Sequence, residues 1–178
     1  MSKLRVTRTD LQLLLLAGTI AAILDAAFAF VAYVVIAGRY NFESLLQYIA
    51  SGLLGHDAFA HQGVTGWLIA ALGFGLHFGI SLAVAGVFFV ALRPFATTRT
   101  RTLAIGLLYG AAVWMFNAGV VLPLTDTRHE PFFGDWYIPF LVDHAVFVGL
   151  PIALVLAHRA PRATEIRARM VPRLAAEH

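Results

Sequence analysis

Four apolar runs decide what this chain can become. They lie at about 11–38, 64–92, 103–124 and 136–157, and each reaches or exceeds the roughly 20 residues a helix needs to cross about 30 Å of hydrocarbon. A soluble alternative would need far more charge: only 13% of the residues are charged and 60% are hydrophobic, against about a quarter charged and half apolar in soluble domains. The expected fold is therefore all-α, a transmembrane four-helix bundle forming one unit over residues 1–160, with a basic tail at 161–178. The bilayer is its first partner.

The first run also has the features of a signal peptide, because Lys3, Arg5 and Arg8 precede LLLLAGTIAAIL and then Ala27, Phe28 and Ala29, the pattern of a charged start, an apolar stretch and a cleavage site. The apolar run continues through FVAYVVIAG, so an uncleaved helix is expected. Orientation follows from the basic residues beside the spans. Lys3, Arg5 and Arg8, then Arg93, Arg99 and Arg101, then Arg159, Arg162, Arg167, Arg169 and Arg173 fall on one side, against Arg39 and Arg128 on the other. Both termini are expected in the cytoplasm of a bacterium, with the spans in its inner membrane. Tyr40, Trp67, Trp136 and Tyr137 then form an aromatic belt on the outer face.

The net charge of +3 does not point to nucleic acid, because the basic residues flank apolar spans and do not alternate with stacking aromatics. The chain has no cysteine, which removes disulfides, thiolate metal sites and thiol nucleophiles. No phosphate-binding glycine loop, HExxH or GxSxG occurs, so an enzyme is not expected. Between the first two spans, Asn41 can cap a helix at about 42–54. Phe42, Leu45, Leu46, Ile49 and Leu53 would share one stripe of it, with Glu43, Gln47 and Ser51 turned away. The expectation is a short external amphipathic helix lying on the outer surface and ended by Gly52 or Gly55.

Ionisable groups inside lipid cost about 2.5–3.5 kcal/mol at a helix centre, so each requires a reason. Asp25, His77, Asn117, Asp143 and His144 all fall near the middle of their spans, and all five can share one layer. Asp25 belongs to the stripe Gly18, Ala21, Ala22, Asp25; His77 belongs to Gly66, Ala70, Gly73, His77, Ser81; Gly106, Gly110 and Asn117 repeat the pattern. Small residues let helices approach closely in lipid, so these faces pack inward and carry the polar groups with them. Asp143 and His144 are about 100° apart on an α-helix, so the expectation is that His144 points in while Asp143 bonds a neighbouring helix.

Three roles suit such a layer. It can lock the bundle, each interhelical hydrogen bond contributing about 0.6–2 kcal/mol. It can bind a proton, an ion or a small polar solute at the midplane. It can hold haem b between His77 and His144 in an electron carrier. An accessory subunit of a larger membrane complex and a homodimer are further readings of its partners. On the outer face, His56, Asp57 and His61 and then Asp126, His129, Glu130 and Asp135 match no zinc spacing and read as polar loop residues, although they change charge between about pH 4 and 7. Asp57 and His61 would meet if their stretch were helical.

Taken together, GVTGWLIAALGFGLHF, the Gly106/Gly110 helix ending in VLPL, and DHAVFVGLP resemble bacterial inner-membrane proteins of the YagU type and related uncharacterised four-helix proteins. The similarity covers about residues 60–157 and lies in the order and spacing of features. It places His77, Pro123 and His144 in the recurring positions of that group, and it implies an inner-membrane protein linked to acid tolerance.

Overall fold

Thr7 starts the first helix with a reciprocal cap: its hydroxyl accepts from the Asp10 N–H at 3.1 Å, and the Asp10 carboxylate accepts from the Thr7 N–H at 3.1 Å. That exchange satisfies two amides a helix would otherwise leave open. The computed structural model describes residues 7–127 and 134–157. Five helices make up the fold among these residues: α1 (Arg8–Ile36), α2 (Phe42–Leu54), α3 (Gly63–Phe95), α4 (Arg99–Leu124) and α5 (Tyr137–Ala157). No strand occurs among the described residues. Helices α1, α3, α4 and α5 are long and apolar enough to cross a membrane, so the chain is an all-α, four-span membrane protein. The basic tail lies outside the described residues.

Helices α1 and α4 begin before their apolar runs because their caps are polar. Thr98, for example, accepts from the Arg101 N–H at 3.2 Å and starts α4 well before Leu103. All four spans also change locally from α to the wider π pattern, over Phe30–Ile36, Phe88–Leu92, Asn117–Val121 and His144–Gly149. Such turns recur at functional sites, and two of these four open on Asn117 and His144.

Small residues set the contacts. The side of α1 carrying Ala17, Gly18, Ala21 and Ala22 is buried, and a Cβ on Gly18 would press on Leu82 of α3. On the other side of the bundle, Gly106 and Gly110 of α4 face Gly149, Ala153 and the backbone of His144 and Ala145 on α5. Toward the end that bears the N-terminus, Ala17, Ala21, Ala85, Phe88, Phe89, Val148, Ile152, Ala153 and Leu156 form one apolar core shared by α1, α3 and α5.

Arg93 ties that end together. Its Nη1 donates to Asp10 Oδ1 at 3.0 Å, its Nε donates to the Leu156 carbonyl at 3.0 Å, and its guanidinium lies 4.9 Å from the Phe89 ring centre. One side chain thereby joins three spans. Charge-assisted hydrogen bonds of this kind contribute roughly 1.5–3 kcal/mol. Arg93→Ala is therefore expected to lower stability by about 2 kcal/mol, and Arg93→Lys to recover only part, since an ammonium cannot reproduce the fork. Unfolding in mild detergent measures both.

Helix α2 departs from the expected arrangement. Gly55, at φ 62°, ends it, and Asn41 caps its start. Its buried residues, however, include the polar Gln47 and Ser51, while Phe42 and Leu53 are 51% and 67% exposed. Gln47 Nε2 donates to the Gly66 carbonyl at 3.2 Å, and Ser51 Oγ lies 3.0 Å from Thr127 Oγ1. The helix packs along Gly66, Ala70 and Gly73 of α3, where Leu46 and Ala50 meet Gly73 through their backbones. Protein thus covers Gln47 and Ser51 together with Leu45, because polar groups without water must be satisfied by protein. Burial, and then the neighbouring Tyr40, pushes the Tyr48 phenol up to about 12.

Candidate functional site

The small-residue stripe of α1 brings its backbone close to α3, and this places His77. His77 Nε2 lies 2.9 Å from the Ala22 carbonyl oxygen. A carbonyl only accepts, so Nε2 carries the proton. The other ring nitrogen, Nδ1, lies 3.8 Å from Asp25 Oδ2. Asp25 sits one turn beyond Ala22 and faces inward on the same stripe.

Asp25 also meets α5. Its Oδ1 is 3.7 Å from His144 Nδ1, and the same nitrogen is 3.0 Å from Asp143 Oδ2. Asp25, Asp143 and His144 each offer an atom within 4.8 Å of the other two. Two carboxylates and two imidazoles from three helices therefore converge on one point. The Asp143 side chain is 0% exposed, while those of Asp25, His77 and His144 retain 16%, 13% and 12%.

The expectation that only His144 points inward is overturned. Asp143 is the most deeply buried member, and its partner is the adjacent histidine. The α segment ends at Asp143 and the wider π segment begins at His144, and the rotation of this helix leaves both side chains facing the bundle. Gly110 allows it: the α4 backbone there is open enough for the His144 carbonyl to lie against it. Trp114 completes the wall, with its ring centre 5.0 Å from that of His144 and 5.3 Å from that of Phe140.

Of the five residues expected from the sequence to form one layer, four meet. Asn117 does not: it is half-buried on α4, and among the described residues no hydrogen bond joins it to the other four. The haem arrangement does not fit either, since both imidazoles turn Nδ1 toward the same carboxylate and His77 Nε2 is committed to a carbonyl. Asp25 stands where a macrocycle between two axial histidines would have to lie. On the outer loops, Gly55–Phe59 forms a 3₁₀ turn that stops short of His61, and Asp57 and His61 form no ion pair among the described residues. Arg128, His129 and Glu130 lie outside the described residues.

Among the described residues, three buried polar atoms have no hydrogen-bond partner: Asp25 Oδ1, Asp143 Oδ1 and Trp114 Nε1. All three belong to this centre or its wall. Orphaned buried groups are rare and costly, and their concentration here marks the place where the fold is least self-sufficient. The residues that sequence reasoning missed are Trp114, Gly149, Arg93 and Gln47. Only Trp114 carried a signal, as an indole placed mid-span and away from the interfacial belt where tryptophan collects.

No protein-family model, curated sequence or solved structure matches this chain. The meaning of the site has to come from its own geometry.

Proposed function

We propose that this small membrane protein binds a cation, a proton or a metal ion, at the centre formed by Asp25, His77, Asp143 and His144, and passes it across the bilayer. One observation carries the reading: the buried oxygens Asp25 Oδ1 and Asp143 Oδ1 lack partners while their carboxylates share a space. A centre serving only to lock helices would gain most from saturated hydrogen bonds. This one instead gathers acceptors of like charge in a low dielectric, which a bound cation relieves. The activity is read as non-enzymatic. The setting we propose is a bacterial inner membrane with the Arg93–Arg101 loop and both termini in the cytoplasm, as the basic flanks of the spans favour. A role in acid tolerance fits the similarity to YagU-type proteins.

Proteoliposomes loaded with a pH-sensitive dye, and others loaded with a dye sensitive to divalent metals, test the reading. Wild-type vesicles are expected to pass one of the two cations faster than empty ones, with Asp25→Asn vesicles at the empty level. Wild-type, variant and empty vesicles that are indistinguishable with both dyes would overturn it.

A further inference from the structure

We infer that the cation is a divalent transition-metal ion held by Asp25, Asp143 and His144. The inference rests on the cation-binding reading above and narrows it. The three residues each offer one ligand atom, and those atoms lie within 4.8 Å of one another. From His144 Nδ1 the distances to the two carboxylates are 3.0 Å and 3.7 Å. With ligand atoms about 2.1 Å from a shared ion, those two separations correspond to angles of roughly 90° and 125°, and the two carboxylates, within 4.8 Å of each other, close on the ion as it binds.

A second, separate observation points to a ligand: the Asp143 side chain is wholly buried, and its Oδ1 has no partner. Charge narrows the choice further. Two carboxylates and a neutral imidazole balance a doubly charged ion, leaving no net charge to bury. The imidazole then selects the class, since magnesium and calcium favour all-oxygen shells while zinc and its first-row neighbours accept nitrogen with carboxylate. Three protein ligands leave a fourth position open, as in sites that exchange what they bind. His77, pinned by Nε2–H to the Ala22 carbonyl, lies beside this set with its Nδ1 3.8 Å from Asp25 Oδ2.

The test uses the full-length chain, purified in mild detergent and stripped of metal, with Zn²⁺ as probe and Mg²⁺ as control, read by competition with a chromophoric chelator. One Zn²⁺ per chain is expected, with no displacement by Mg²⁺. Asp143→Asn is expected to weaken Zn²⁺ by more than about 100-fold, beyond the loss usual for outer-shell changes. Asn117→Ala and the double variant His56→Ala/His61→Ala should stay within about twofold. Should Asp143→Asn fail to fold, Asp25→Asn on α1 carries the same expectation. Zn²⁺ binding that survives both aspartate variants, or vanishes with His56 and His61, assigns it to the loops and overturns the inference. No Zn²⁺ binding at all, together with Asp25-dependent proton flux, overturns the metal and leaves the cation-binding reading standing.

Discussion

Gly110→Ala is expected to cost the bundle about 3 kcal/mol, at the upper end of the usual penalty for overpacking. The added methyl would fall on the carbonyl oxygen and carbon of His144 and beside Ala145 Cα. These are backbone atoms, so no side-chain rotation makes room, and α4 and α5 must separate. Gly149→Ala faces the same obstacle from the other helix, where the new Cβ meets the backbone of Gly106 and Gly110. Gly79→Ala is the control: nothing lies within 4 Å of a Cβ there, and helix propensity alone favours alanine by up to about 1 kcal/mol. Unfolding midpoints in one detergent separate the three variants. Because the collision is with His144 itself, Gly110→Ala should also disturb cation binding, whereas Gly79→Ala should not.

Asp143→Asn is expected to act in the opposite direction and raise the stability of cation-free protein by about 1–3 kcal/mol. The substitution removes a buried charge of the same sign as Asp25, and it keeps an oxygen that can accept from His144 Nδ1. It also supplies an amide donor, the group that Asp25 Oδ1 lacks. Two carboxylates that share a buried site repel, and neutralising one removes that repulsion, on the order of 1–3 kcal/mol. A residue that weakens the fold by being native has another reason to be there. Thermal unfolding in chelator reads the effect, and a fall in the midpoint on Asp143→Asn would instead identify the carboxylate as structural glue.

Much of this was legible along the chain. The four spans follow from hydrophobic length, and the packed faces follow from glycine and alanine at helical spacing, which is why Gly18, Gly73, Gly106 and Gly110 all lie against another helix. Depth alone also brought Asp25, His77 and His144 to one level. What depth cannot supply is angle. The rotation of α5 that turns Asp143 inward beside His144 has no composition signature. Asn117 shares the level without sharing the contact, since the neighbours of a side chain depend on helix rotation as well as on height. Helix α2 shows the same limit: its periodicity reveals two faces, but which face meets protein depends on whether water or lipid lies opposite. Here the polar face turns in to Gly66 and Thr127.

A double-mutant cycle on Asp25→Asn and Asp143→Asn, with unfolding free energies measured in one chelator-treated detergent, tests most directly whether two carboxylates repel across a shared cation site. Each single variant should be more stable than the parent. The double variant should fall short of the summed gains by about 1 kcal/mol or more, because either change alone removes the repulsion. Two destabilising, additive single variants would contradict the account.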